Sequence, residues 1–425
     1  MKTVLCISPN FPPVNAPDMQ RLRQSVSYFK EFNWRPVIFT VDPYYVEQTQ
    51  DELLLESIPE DIEVHKVKAF STKWTRKIAL GNLGFRSWFQ YRCAVDSYIR
   101  QHKVDLIYFS TTVFTLMPLG LHWKKKFNIP FIVDLQDPWR NDYYLTLPKN
   151  SRPKKFWFDY IQKKYLEAKT MPKVDGIVSV SDGYVDTMKS RYSSLISKKS
   201  LTLPFSALDI DIEIARKQKP ALLDENFINI TYIGRGGKDM EFSLTALFNG
   251  FKRGLDKELD NFQNIRFSFY GTSYAADGLG EKTIMPIAKK CGIELYVNEF
   301  TDRLPYFKSL STLMQSDILF IPGSVDSNYT ASKIFPYIMM KKPLFAIFNR
   351  QSSIVEILQK TKGGEIISFE DGSKLKNVTN DVLVVLEKIV KKIPYKPDVI
   401  EDEFNLYSAR EMTKQQCHYF DHVVG

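Results

Sequence analysis

The chain has 425 residues, 44% of them hydrophobic and 25% charged. This balance fits a globular protein of two or three domains and excludes a disordered, collagen-like or polytopic membrane chain. The formal charge is +9 and unevenly spread: residues 1–220 hold 33 Lys and Arg against 23 Asp and Glu, and the remainder holds 25 against 26.

The basic half calls for an anionic partner, such as a membrane surface, a nucleic acid or a phosphorylated substrate. A solvated face would give the same count. The longest unbroken apolar runs are strand-sized, as in Ile318 to Ile321, well short of the ~20 residues that span a bilayer. The run at Met1 to Ser8 is too short for a signal-peptide core and has no small-residue cleavage site after it, so the expected location is cytoplasmic. Cys6, Cys93, Cys291 and Cys417 form no Cys-x-x-Cys pair, which argues against zinc. Cys6 reads as a small core residue. His418 and His422 have helical i, i+4 spacing but no third ligand nearby, and read as a solvated or capping pair.

In chain order, the predicted elements alternate. A strand at Thr3 to Ser8 leads through the loop Pro9 to Asp18 to a helix over Met19 to Phe32. Strands follow at Pro36 to Val41, Asp105 to Ser110, Pro130 to Asp134 and Gly176 to Ser181, with a helix over Leu116 to Phe127. Pro204 to Glu225 is polar and charged and reads as a linker, in which Asp209-Ile210-Asp211 is taken as solvated. The pattern then restarts with a strand at Ile228 to Ile233 and a helix over Phe242 to Arg253. Further strands are expected at Ile265 to Tyr270, Glu294 to Val297, Ile318 to Ile321 and Leu344 to Phe348. Helices are expected over Lys333 to Met340 and Ser408 to Val424. Strands alternating with helices give parallel sheets with crossover helices. The expectation is an α/β protein of two doubly wound Rossmann-like domains facing a central cleft: residues 1–205, residues 206–405, and a helix over 406–425 packing back on the first. No short-period repeat is present.

Two segments carry candidate chemistry. Gly234-Arg235-Gly236-Gly237-Lys238 lies between a strand and a helix, where glycines let backbone approach an anion and free N–H groups favour it. It matches neither a dinucleotide fingerprint nor a Walker loop, and the same residues would make an ordinary glycine-rich turn. The second segment is Thr330-Ala331-Ser332-Lys333-Ile334-Phe335-Pro336-Tyr337-Ile338-Met339-Met340-Lys341-Lys342-Pro343. Here Ser332 can cap a helix beside Lys333, and Pro336 is tolerated in its first turn. A capped core helix with Ile334, Tyr337 and Ile338 inward fits equally.

The stretch from Ser332 to Pro343 resembles the donor-binding signature of family 4 glycosyltransferases of the GT-B fold. Further likenesses follow in the right order: Pro9-Asn10-Phe11-Pro12-Pro13 with Arg21, Val133-Asp134-Leu135-Gln136-Asp137-Pro138-Trp139, Asp175 to Ser181, Tyr232 to Arg235, and Gln315 to Pro322. The resemblance implies a nucleotide diphospho-sugar held by the second domain. Arg235, Lys238, Gly234, Ser332 and Lys333 would meet its diphosphate, and Glu299 to Tyr306, with Phe300 as a wall, would hold its base. Asp137 would be the catalytic-face residue near the anomeric carbon. Phe11, Pro13 and Arg21 of the first loop would approach diphosphate and acceptor. The implied reaction is sugar transfer with retention to a glycan or lipid-linked acceptor, in cell-surface polysaccharide assembly, with no cofactor and no metal. Pro336 stands where the family has a glutamate for the ribose, and Val14-Asn15-Ala16-Pro17 where it often has glycines. These departures keep a non-catalytic nucleotide-sugar-binding or scaffold protein in play. A nucleotide-sugar 2-epimerase is disfavoured by the scarcity of histidine in the motifs, and a dehydrogenase by the missing dinucleotide fingerprint.

Residues 149–173 hold eight basic and two acidic side chains with five interleaved aromatics, and residues 74–92 have a similar mix. Both suit an anionic membrane surface, whereas ordinary packing of the aromatics on the sheet is the alternative for 149–173. Nucleic acid is not expected.

Overall fold

The computed structural model describes residues 1–78, 80–142, 145, 148–149, 152, 156–275, 278–326, 329 and 331–425. Thr330 of the donor-loop motif, residues 150, 151 and 153–155 of the basic stretch, and residue 79 of the stretch 74–92 lie outside the described residues. The chain forms two compact units, one of Met1–Ser206 with Ser408–Gly425, the other of Ala207–Tyr407.

The first unit is built on seven strands: β1 (Lys2–Ile7), β2 (Trp34–Val41), β3 (Glu63–Val67), β4 (Leu106–Ser110), β5 (Phe131–Leu135), β6 (Gly176–Ser179) and β7 (Ser200–Thr202). They pair in the order β3-β2-β1-β4-β5-β6-β7, all parallel. Leu5 sits opposite both Val37 and Ile107. Because helices cover both faces, the inner strands are apolar throughout rather than alternating. Leu5, Ile7, Phe39, Phe109, Trp123 and Phe131 belong to one buried cluster. Cys6 is buried in β1, as its apolar run implies.

The C-terminal helix Ala409–Val424 packs on this unit. Phe420 lies against Phe29, Trp34 and Tyr108, with ring centroids 6.0, 5.5 and 5.1 Å away. Tyr419 Oη accepts from Ile177 N at 2.8 Å and donates to the Lys199 carbonyl at 2.8 Å, tying the helix to β6 and the start of β7.

The second unit has β8 (Ile228–Ile233), β9 (Ile265–Tyr270), β10 (Val297–Phe300), β11 (Ile318–Pro322), β12 (Leu344–Asn349) and β13 (Glu365–Phe369). Their order is β10-β9-β8-β11-β12-β13, again parallel. Helices Glu241–Asp256 and Leu375–Val390 pack closely beside this sheet. They meet at Gly250, where a Cβ would come within 2.6 Å of Val382 Cγ1.

Several expectations need correction. The stretch 204–225 is no free linker: Asp209–Arg216 is a helix packed on helix Tyr306–Gln315. Asp211, taken as solvated, is buried and accepts the Tyr306 hydroxyl at 2.7 Å. Burial of Ile214 and Ala215 on the same face draws it in. The helix expected over Met19 to Phe32 is only Gln20–Ser25, with a 3-10 turn at Phe29–Phe32. Similarly, Leu116 to Phe127 divides into a turn, Phe114–Leu116, and a helix, Leu119–Phe127, around Pro118. The strand expected at Glu294 to Val297 begins at Val297, after a 3-10 turn.

Replacing Tyr419 by Phe should strand the Lys199 carbonyl and the Ile177 N–H. A loss of about 2 kcal/mol is expected from urea unfolding, with the slope unchanged.

Candidate functional site

In both sheets the strand order reverses once beside the first strand, between β1 and β4 and between β8 and β11. A crevice opens at the carboxyl ends of the strands at such a point, and ligands bind there. The motifs read from the sequence cluster at these places.

In the second unit, the turn after β8 begins at Gly234. Tyr232 is buried beneath it, and its hydroxyl donates to the Arg235 carbonyl at 3.1 Å. The Arg235 guanidinium forms a two-pronged pair with Asp239, at 2.9 and 2.7 Å, and lies 5.0 Å from the ring centre of Tyr329. The hydrogen bond to Asp239 raises the guanidinium further above its ordinary value. Burial works to raise the Asp239 carboxyl, but hydrogen bonds from Arg235 and Ser324 outweigh it and hold the group below its usual range.

From the far side, beyond β11, Lys333 reaches across the crevice. Its Nζ donates to the Ile233 carbonyl at 3.1 Å and sits 5.2 Å from the Tyr232 ring centre. Gly234 makes that approach possible, since a Cβ there would lie 1.9 Å from the Lys333 ammonium. Among the described residues, Lys333 has no carboxylate partner. Loss of water, then the charges of Arg235 and Arg303, push its ammonium down to about 8. Two cations sharing a low-dielectric crevice repel one another, so an anion between them would be strongly favoured.

Ser332 does not cap the following helix. That helix is Ile334–Met339, its N-cap position is Lys333, and no side chain caps it. The Lys333 side chain is directed instead to the Ile233 carbonyl. Ile334, Tyr337 and Ile338 are buried, and Tyr337 Oη accepts from Ile233 N at 2.8 Å. Lys238 is exposed at the start of the turn Lys238–Met240. Phe300, at the end of edge strand β10, is 48% exposed and stacks on Tyr270, centroids 4.8 Å apart and planes 7° from parallel. The exposed outer face of this ring pair could receive a flat base. Glu299 is buried and takes the N–H groups of Thr283, Ile284 and Met285 and the Thr272 hydroxyl. It therefore organises the 283–285 backbone beside Phe300.

In the first unit, Asp18 is buried at the switch point. It accepts from Asn10 Nδ2 at 3.0 Å, Thr111 Oγ1 at 2.8 Å and Thr112 N at 3.0 Å, pinning the first loop to the end of β4. Phe11 and Pro13 are buried along that loop. Arg21 is buried too. Its Nε donates to Asp134 at 3.0 Å, and its two terminal nitrogens donate to the carbonyls of Pro204 (2.8 Å) and Leu203 (2.6 Å). The guanidinium thus joins the end of β5 to the chain leaving the unit. Asp134 also accepts from Tyr108 Oη (3.0 Å) and Gln136 Nε2 (2.8 Å). Asp137, two residues past β5, is exposed. Partial desolvation, then the nearby charge of Asp18, raise its carboxyl above the ordinary value.

The structure brings Gly234, Arg235 and Lys333 together in one unit, and gathers Asp137 with the first loop in the other. Asp239 and Tyr329 enter the crevice without having been singled out in the sequence; Tyr232 and Arg303 lie in segments that were, Tyr232 to Arg235 and Glu299 to Tyr306, but with no role of their own, as does Asp18 at the end of the first loop in the other unit. Asp239 carries a readable signal, since it lies four residues beyond Arg235 at the start of a helix. Tyr329 has none, and nothing local picks out Tyr232 or Arg303 within their segments, because only the sheet order brings them together.

No family model matches the chain, and no curated protein matches it in sequence. Solved structures do share its architecture. A sucrose-phosphate synthase from Thermosynechococcus elongatus aligns over 100% of this chain and 96% of its own, at 12% identity and a TM-score of 0.53. HepE of Anabaena, solved in complex with UDP, aligns over 99% and 98%, at 12% identity and 0.52. The lipopolysaccharide outer core galactosyltransferase WaaB, in its apo form, aligns over 99% and 100%, at 12% identity and 0.56. The fold is that of the GT-B glycosyltransferases.

Gly234→Ala should displace the Lys333 ammonium without disturbing the sheet. Isothermal titration with a nucleoside diphosphate is expected to show at least a tenfold loss of affinity, about 1.4 kcal/mol. A pH dependence follows as well. An anion binds the protonated lysine, and the free protein loses that proton near pH 8. Affinity should hold steady below pH 8 and fall above it, with proton uptake on binding. Lys333→Arg should remove the fall, since a guanidinium stays charged throughout.

Proposed function

We propose that the chain is a glycosyltransferase that moves a sugar from a nucleotide diphosphate donor to a glycan or lipid-linked acceptor. The observation that carries this reading is the Arg235 and Lys333 pair at the β8/β11 switch point, where the two cations approach from opposite sides and Gly234 leaves room for the lysine. Sugar transfer from such a donor needs the leaving diphosphate stabilised in a dry, preorganised site. Two fixed cations in a partly buried crevice supply that. Phe300 on Tyr270 offers the stacking surface for the base. The UDP in HepE makes UDP the first nucleotide to try.

Asp137 is then the residue for the acceptor or the developing charge at the anomeric carbon. Burial, then the nearby charge of Asp18, make its carboxyl hold a proton more readily than a free aspartate, the direction that suits a group exchanging a proton with an acceptor. The transfer would retain configuration and need no metal, in the assembly of cell-surface polysaccharide, with the cytoplasm at the inner face of the cell membrane as the working location. A second reading is a nucleotide-sugar-binding protein without turnover. Pro336 favours it, because proline offers no acceptor side chain to a ribose hydroxyl. One lost hydrogen bond is worth only about 1 kcal/mol, which weakens a donor without excluding it.

The first test is a thermal-shift screen against UDP, GDP, CDP, TDP and ADP, followed by their sugars. A binding nucleotide raises apparent stability by mass action. Lys333→Ala and Arg235→Ala should each abolish the shift while the apparent melting temperature without ligand holds. Asp137→Ala should keep the shift and lose about a hundredfold or more in turnover. A shift that survives in Lys333→Ala removes that residue from the site, and donor binding with no turnover for any acceptor leaves the second reading standing.

A further inference from the structure

The helix Phe156–Thr170 has its polarity reversed. Its inward side sets Phe156, which is buried, and Leu166, which packs against the apolar core, beside polar groups. Glu167 is fully buried and accepts Arg191 Nη1 at 3.1 Å and the Tyr192 hydroxyl at 2.9 Å. The Tyr160 hydroxyl donates to Asp142 at 2.8 Å, and Asp142 is paired with Arg191 at 2.6 Å and Arg140 at 3.1 Å. Phe156 and Thr170 are the other buried residues of this helix.

The outward side is apolar. Trp157 is 52% exposed, Phe158 57%, Ile161 62% and Tyr165 64%. At 3.6 residues per turn these four lie within an arc of about 100°, on the side away from Glu167. Exposed Lys164 and Lys169 stand at the two edges of the arc. Arg152 lies 5.4 Å from the Trp157 ring centre.

A surface helix in water normally shows the opposite arrangement, apolar inward and charged outward. A row of four large apolar side chains marks a surface meant to be covered. The chemistry of the row indicates what covers it. Trp and Tyr favour the boundary between headgroups and acyl chains. Lysines at the edges of an apolar face match anionic headgroups, and residues 149–173 carry eight basic and two acidic side chains. No described helix is long and apolar enough to cross a membrane.

We propose that the outer face of helix 156–170 seats this chain on an anionic lipid bilayer. The helix lies in the plane of the interface, with Trp157, Phe158, Ile161 and Tyr165 below the headgroups and Lys164 and Lys169 among the lipid phosphates. This gives the transferase reading a membrane partner and a face for it, and its test needs no nucleotide.

The experiment is co-sedimentation of the full chain with phosphatidylcholine vesicles, with and without phosphatidylglycerol. Binding is expected only where phosphatidylglycerol is present, weakening as salt rises. The variant Trp157→Ala/Ile161→Ala/Tyr165→Ala should bind about tenfold or more weakly. Lys164→Glu/Lys169→Glu should lose the salt-sensitive part. Both variants should keep the native melting temperature, since the altered side chains face water. Equal sedimentation of native and triple variant overturns the proposal, as does failure of the native chain to bind anionic vesicles. Lipid-free self-association that the triple variant abolishes would also overturn it, by assigning the face to a second copy. The nucleotide thermal shift of the triple variant keeps this failure distinct from failure of the transferase reading.

Discussion

Everything in the second unit that bears on chemistry depends on one charged group, the Lys333 ammonium. It is held over the Ile233 carbonyl and the Tyr232 ring, and among the described residues the charges that act on it are those of Arg235 and Arg303. A buried cation without a counterion is costly, and proteins remove that cost by shifting the group toward neutrality or by binding an anion. The fold supports both responses. Lys333 gives up its proton more readily than a free lysine, and the β8/β11 reversal beside it is where a parallel sheet takes its ligand. Asp239 takes a different part. Its two-pronged hold on Arg235 fixes the plane of the guanidinium in advance, so less side-chain freedom is lost when an anion arrives. One cation is therefore pre-positioned and partly neutralised, and the other has no carboxylate partner among the described residues.

The first unit follows the opposite logic. The buried Arg21 and Asp18 already have hydrogen-bond partners. Arg21 is spent on Asp134 and two carbonyls, and Asp18 on Asn10, Thr111 and Thr112. Breaking such a network strands a buried charge, which costs far more than the pair contributes. The arrangement makes the loop after β1 a rigid wall. It also explains how the loop is carried without glycines. Val14 and Ala16 are core residues, and the chain is carried past them by hydrogen bonds from Val14 N to the Phe11 carbonyl and from Asn15 N to the Thr49 carbonyl. Asp137 alone of the candidate residues here keeps an exposed carboxylate, beside the fixed negative charge of Asp18.

Strands buried on both faces were legible because parallel sheets need unbroken apolar runs. β1, β4, β5, β8, β11 and β12 all read that way. Edge strands were not. β3 is Glu-Val-His-Lys-Val and β7 is three half-buried residues, and neither carries a run long enough to stand apart from a loop. Short helices were overextended for a related reason. Apolar spacing persists through 3-10 turns, so Met19 to Phe32 looks continuous although only six of its residues form an α-helix. At the site, Arg235 and Lys333 were legible from motif context, but their partners were not. Tyr329 and Arg303 come from loops after different strands, and strand order is a long-range property that no local window contains.

Helix 156–170 shows the same limit in sharper form. Its sequence gives aromatic and basic residues at helical spacing, which fits either packing on the sheet or facing a membrane. Periodicity reports that one side is apolar without saying which way that side points. The direction is set by Glu167, whose carboxylate is satisfied, among the described residues, by Arg191 and Tyr192 on the neighbouring stretch. Burial raises the Glu167 carboxyl, and the charge of Arg191 opposes that rise. Turning the helix by half would put Trp157 and Ile161 inward but would take Glu167 away from both partners. The ion pair therefore fixes the rotation of the helix, and its exposed aromatics follow from where one buried carboxylate finds its arginine.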